Sequence, residues 1–327
     1  MNRRCALLLP LLLAGCFNEL SWKTIPGSLE NNSVRRLHFR SADEIWLVGT
    51  SPMLVRTKGE WSVLSLCFEE RAVLADVGFE ADGAVWAHCV VTTAVDTHTL
   101  WRYDAQRVAQ PVPLPAGETK ILLVQTGDTV RFFGAKRFYS REAGAWKELA
   151  PYTFRGVYGG IGTSPDDFLL STDTPEGVLQ ASRWDKDHFA LTTLDSFLPV
   201  RAMLRGGELF AGTARVVAGE LVPLSESPDT AGRGVRAASA LDPRRIAYFT
   251  MPASTAFDSV SGGGIWLSKS AGDLDFQGHA PFSSGNLARG GGIAFFHALD
   301  EDHYLIGVAG GAAGGPISGD KVVEGTR

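Results

Sequence analysis

From Leu20 onward one short pattern recurs seven times, at a spacing of roughly forty residues. Its clearest copy runs Asp43-Glu44-Ile45-Trp46-Leu47-Val48-Gly49, then Met53-Leu54-Val55-Arg56-Thr57, then Gly59-Glu60-Trp61-Ser62-Val63-Leu64. These are three apolar or alternating runs parted by turn residues, the signature of an antiparallel meander. The same order returns from Asp82, Asp128, Asp166 and Gly207, and more loosely around Ile246 and Tyr304. An apolar run such as Ile121-Leu122-Leu123-Val124 or Ile293-Ala294-Phe295-Phe296 precedes each copy and supplies a fourth, innermost strand. Helical periodicity is almost missing, and 37 glycines favour turns over long helices. A meander of this size cannot bury both faces alone, whereas a ring of them can. The chain is therefore expected to be all-β, built of four-stranded antiparallel units. A pair of β-sandwiches is the runner-up, but it would not need copies so evenly spaced.

The segment ahead of the repeats is a targeting signal. Arg3 and Arg4 precede an apolar run from Ala6 to Leu13, too short for the ~20 apolar residues of a spanning helix. The ending Leu13-Ala14-Gly15-Cys16 resembles the bacterial lipoprotein box. That resemblance implies that residues 1–15 are removed, and that Cys16 becomes the lipid-modified first residue. The protein would then be tethered to the cell envelope, at the outer membrane. The repeats, with their Asp-x-hydrophobic-Trp-x-x-Gly motif, resemble degenerate seven-bladed β-propellers of secreted and lipid-anchored bacterial proteins. This resemblance implies a single domain over 16–327. It also implies a ring closed by the N-terminal strand around Leu20-Ser21-Trp22-Lys23-Thr24-Ile25, pairing with strands from about 290–320.

Charge and cysteine use narrow the chemistry. Losing residues 1–15 removes Arg3 and Arg4 from 31 basic residues, leaving 29 against 36 acidic, a net charge of −7. Such a chain lacks the broad basic surface that binds nucleic acid. Cys67 and Cys89 remain beside Cys16, without metal-ligand spacing. In an oxidising compartment they are able to pair; alternatively Cys89, inside the apolar run from Val85 to Val91, is a buried thiol.

No motif for nucleophilic, metal or phosphate chemistry is present, and neither a cofactor nor a metal is expected. The pairs Asp43-Glu44, Asp166-Asp167 and Glu301-Asp302 fall before second strands, where aspartate favours turns. Ser268-Lys269-Ser270-Ala271-Gly272 faintly resembles the Asp-box turn of sialidase-like propellers, which is structural. His38 and His297 lie on innermost strands and are candidates to face a central channel. A basic residue also stands near the start of every innermost strand: Arg36, Arg71, Lys120, Arg155, Arg201, Arg236 and Arg289. Together they would focus positive potential on one channel mouth and attract an anion, unless each is neutralised by a neighbouring acid such as Glu69 or Glu70. The expected function is a lipid-anchored, non-catalytic platform for an envelope protein or an anionic glycan. The alternative is an envelope glycan hydrolase or lyase, which requires His38, His297 and a carboxylate to converge.

Overall fold

The structure, a computed structural model, describes residues 20–25, 36–41, 43–48, 53–69, 72–93, 95–224, 233–252, 264–268, 274–279, 292–309 and 321–327. The chain packs as two compact units, Asn32–Leu224 on one hand and Met1–Asn31 with Ser225–Arg327 on the other.

The first unit holds five antiparallel meanders. They are β2 (Arg36–Phe39), β3 (Glu44–Val48), β4 (Met53–Thr57) and β5 (Glu60–Leu64); β6 (Ala72–Phe79), β7 (Val85–Val91), β8 (Thr97–Tyr103) and β9 (Ala109–Val112); and β10 (Leu122–Thr126), β11 (Thr129–Phe133), β12 (Arg137–Glu142) and β13 (Ala145–Pro151). Then come β14 (Gly156–Ser164), β15 (Asp167–Asp173), β16 (Leu179–Asp185) and β17 (His188–Leu191), and finally β18 (Met203–Arg205), β19 (Glu208–Ala211), β20 (Ala214–Val217) and β21 (Glu220–Pro223). A four-residue helix, α1 (Leu198–Arg201), precedes β18. The third and fourth meanders are joined edge to edge, because β10 and β14 run parallel with Gln125 opposite Ile161.

Burial explains the strand pattern in the sequence. Second strands such as β3 and β15 are buried on nearly every residue, while fourth strands such as β5 and β21 are largely exposed. A strand covered by a neighbouring meander on each face must be apolar throughout; an outer strand need not be. The core accordingly lies between consecutive meanders. Trp46 and Val48 pack with Val77, Val85 and Cys89. Trp86 and Leu100 pack with Ile121, Leu123 and Phe132. Val124 and Phe133 pack with Phe168 and Trp184, and Ile161 and Leu169 with Leu198 and Leu209. The outer hairpins reuse one turn: Lys58-Gly59 and Ala218-Gly219 both take positive φ at each central residue, 51° and 86° in one and 51° and 81° in the other. That is the twist two-residue hairpins require, and glycine at the second place removes most of its strain.

In the second unit, β22 (Arg233–Asp242), β23 (Arg245–Pro252), β24 (Gly264–Ser268) and β25 (Leu274–His279) form one meander. The other consists of β26 (Gly292–Ala298), β27 (His303–Ala309) and β28 (Lys321–Thr326), with β1 (Ser21–Thr24) as its fourth strand. Ser21 lies opposite Thr326 and Thr24 opposite Val323, so the first strand completes the last meander. Its partner falls just beyond the 290–320 segment expected from sequence. Leu20 joins the core of this unit, and the Trp22 indole donates to the His279 carbonyl at 2.8 Å.

Candidate functional site

In the unit 32–224 the five innermost strands line a cavity of about 260 Å³, with His38, Arg40, Phe79, Glu80, Gln125 and Asp128 among its walls. The first and fifth of these strands also approach each other, where the Arg205 guanidinium lies 4.6 Å from the centre of the Phe39 ring. The polar groups of the cavity are held in place. Arg40 sits 5.1 Å over Phe79 and pairs with Glu44 at 3.3 Å, and Glu80 accepts from Arg102 at 2.9 Å. In the wall, His38 Nε2 is 3.7 Å from Oδ1 of Asp76 behind it, both side chains being buried, and the His38 ring meets Phe79 edge-on at 5.3 Å.

Gln125 fastens the second meander to the third. Its Oε1 accepts from the Phe79 amide at 2.7 Å, and its Nε2 donates to the Phe79 carbonyl at 2.9 Å and the Gly127 carbonyl at 2.8 Å. Gln125→Leu would leave buried backbone groups of both strands without these partners. The expected cost is about 2–3 kcal/mol, since each orphaned group costs ~1–3 kcal/mol. Urea unfolding checks this, and an unchanged midpoint would refute the clamp.

The predicted cations stand at the other ends of these strands. Lys120, Arg155 and Arg201 are exposed, just ahead of β10, β14 and β18, and none lines the cavity. Among the described residues they form no ion pair. Most other arginines of this unit are neutralised: Arg102 by Glu80 and Asp82, Arg107 by Glu44, Arg137 by Glu148, Arg183 by Asp167 and Arg215 by Glu208. The β10–β14 register, Gln125 opposite Ile161, has an offset of 36 residues. The pairing covers Gln125 with Ile161 and Thr126 with Gly162, toward the cavity ends of these strands, away from the cations. The backbones of Arg36 and Arg236 belong to β2 and β22, but their side chains lie outside the described residues, as do Arg71, Arg289 and Cys16.

A cysteine bridge and a histidine pair flank this end. Cys67 and Cys89 are disulfide-bonded, with Cα atoms 5.8 Å apart. His88 of β7 and His98 of β8 stack at 5.1 Å, with His88 Nε2 2.8 Å from His98 Nδ1. Burial, then the charge His98 would carry, holds His88 at a pKa of about 4 even though Asp76 pulls it upward; Lys120 adds a smaller push downward. Burial first and Lys120 second also lower His98, against the pull of Asp96. The histidine pair was not read from the sequence; its only signal there was two histidines facing the same side of a hairpin.

The acidic pairs serve structure. Glu44 accepts from the Trp46 indole at 2.7 Å, Asp167 receives Arg183 at 2.8 Å, and Glu301 pairs with Arg245. Ser268 Oγ accepts from the Ile246 amide at 2.7 Å, while the rest of the Asp-box-like segment lies outside the described residues. His297 is on β26 of the other unit, half-buried.

Four-stranded antiparallel meanders packed face to face, with their innermost strands around a cavity, define the β-propeller class of fold. Solved structures similar to this chain include one that agrees in fold at a TM-score above 0.5. A catalytically inactive virginiamycin B lyase from Staphylococcus aureus, crystallised with quinupristin, aligns at 11% identity and a TM-score of 0.52, over 94% of this chain and 100% of that one. The β-propeller domain of the Trilobed protease from Pyrococcus furiosus, which has an open velcro topology, aligns at 9% identity and 0.48, over 90% and 95%. A streptogramin B lyase aligns at 11% and 0.49, over 94% and 97%. At these identities the likeness is one of fold alone. No protein-family model matches the sequence, and no curated protein matches it.

Proposed function

We propose that this chain is a non-catalytic binding module of the bacterial envelope, lipid-anchored through Cys16 at the outer membrane. Its partner is an anionic glycan or an acidic segment of an envelope protein, received on the face where the innermost strands begin. In this reading the seven meanders are the blades of one ring that β1 closes. Residues Phe17 to Leu20 are then the whole tether between lipid and ring, which suits a fixed platform near the membrane. One observation carries the reading: among the described residues Lys120, Arg155 and Arg201 are exposed without ion-pair partners, in a unit whose other arginines mostly have theirs. Evenly placed, unneutralised cations focus potential and steer anions.

The test is binding of a sulfated oligosaccharide to the triple variant Lys120→Ala, Arg155→Ala, Arg201→Ala. Affinity should fall about tenfold, and its salt dependence should flatten, each exposed charge contributing ~0.2–1 kcal/mol. Arg137→Ala, which removes a cation already paired, should change neither. Equal affinity of wild type and triple variant would end this reading.

A glycan hydrolase or lyase is the second reading, and His38 with Asp76 behind it at the cavity wall is the observation in its favour. Turnover of an envelope glycan that disappears in His38→Ala would establish it; turnover that persists would remove His38 from it.

A further inference from the structure

We propose that His98 is a proton-dependent member of the basic face, so that acidification strengthens anion binding beside Lys120. This rests on the binding face proposed above and adds its regulation. The placement comes from packing. Ile121, the neighbour of Lys120, is buried in one cluster with Trp86 and Leu100. His88 and His98 lie two residues along from these on the same strand faces, since side chains alternate. Lys120 is therefore delivered to the histidine pair by the same contact that seats the third meander on the second.

The pair is built to take one proton and keep its geometry. His98 is half-buried and open to solvent, while His88 is buried. When His98 is protonated, its Nδ1–H donates to the neutral His88 Nε2, across the existing 2.8 Å contact. His88 Nδ1 then keeps its own hydrogen, at a buried position with no hydrogen-bond partner among the described residues. The added charge sits among few others. Asp76 approaches His88 from β6, Asp96 approaches His98 from the turn before β8, and Lys120 approaches both from the segment ahead of β10. Cys89, next to His88, is held in the disulfide and does not titrate.

Linkage then fixes the direction. Lys120 repels a proton from His98, so an anion that neutralises Lys120 makes that protonation easier. By reciprocity, protonating His98 must tighten the anion. The ligand class is one of fixed negative charge, a sulfate, phosphate or carboxylate.

The experiment measures binding of the same sulfated oligosaccharide, whose charge is constant with pH, at pH 7.5 and pH 5. Wild type should bind about fivefold tighter at pH 5, the effect of one extra unit charge at a few ångströms in a solvated site. His98→Gln keeps a polar contact for His88 but takes no proton. Its affinity should change little between pH 7.5 and pH 5, losing most of the gain that wild type shows. In NMR titrations the wild-type His98 ring should also titrate at higher pH when the oligosaccharide is bound. A full gain retained by His98→Gln, with an unmoved ring titration, overturns the inference while leaving the binding face intact. No binding by wild type at either pH overturns the face itself and this inference with it.

Discussion

Removing the bridge with Cys67→Ala and Cys89→Ala is expected to lower the unfolding free energy of the protein by about 3 kcal/mol. The two cysteines are 22 positions apart, and releasing a loop of that size restores entropy to the unfolded chain worth ~3 kcal/mol. A second loss adds to it locally. Cys89 is fully buried in the core between the first two meanders, where Cys67 also packs. Cys67 belongs to the segment that leads from β5 to β6, whose anchors among the described residues include the buried Leu66, its carbonyl accepting from the Tyr103 hydroxyl, and Glu69, which receives the Trp101 indole at 3.1 Å. Phe68, 62% exposed, rests edge-on against Trp101 at 4.9 Å. Without the bridge, Phe68 should loosen before the unit unfolds. Thermal unfolding should show a midpoint lower by about 6–12 °C, given ~2–4 °C per kcal/mol for units of this size. Trp101 emission should shift at temperatures below that midpoint. Identical midpoints for wild type and double variant would show that the bridge constrains nothing the core does not already fix.

The architecture was legible where one physical requirement repeats. Each meander needs a second strand apolar on both faces, so runs such as Ile45-Trp46-Leu47-Val48 and Phe168-Leu169-Leu170 announced themselves, and each is buried in a second strand. Outer-strand tryptophans reach the neighbouring meander in two places, Trp22 donating to the His279 carbonyl and Trp146 to the Pro113 carbonyl, each at 2.8 Å. The site was less legible, because it depends on which ends of different strands meet. Gln125 reads as an ordinary polar residue near a turn; only the packing of the second meander on the third, which brings Phe79 to it, makes it a clamp. The cavity lined by His38 and Asp128 lies at the ends of the innermost strands, opposite the starts on which the cations were counted. Spacing placed the basic residues at strand starts, but it could not say which of them would find a carboxylate. That is decided by neighbours brought in from other meanders, as when Arg107 finds Glu44 across 63 positions.

Acidification is expected to destabilise the unit that holds His88, by about 3 kcal/mol between pH 7 and pH 4. Burial, then the charge of His98, lowers the His88 pKa from 6.5 to about 4, with Asp76 opposing and Lys120 contributing least. In the unfolded chain the ring returns to its ordinary value. Above pH 6.5 neither state holds the proton, and the full stability is present. As the pH falls below 6.5 the unfolded chain binds it first, so unfolding is favoured progressively until the folded ring also titrates near pH 4. A shift of this size, at ~1.4 kcal/mol per pH unit, gives the stated loss. The geometry gives the same limit. His98 takes its proton without breaking the 2.8 Å contact, but a second proton on His88 would set two N–H donors against each other there. His88→Leu removes the titrating ring and its buried Nδ1, which has no hydrogen-bond partner among the described residues. Urea unfolding from pH 7 to pH 4 should therefore show a steep loss for wild type, and a curve for His88→Leu that is flatter by about 3 kcal/mol over the range. Parallel curves would mean that His88 is protonated in the folded protein as readily as in the unfolded chain, and the buried, neutral pair would have to be abandoned.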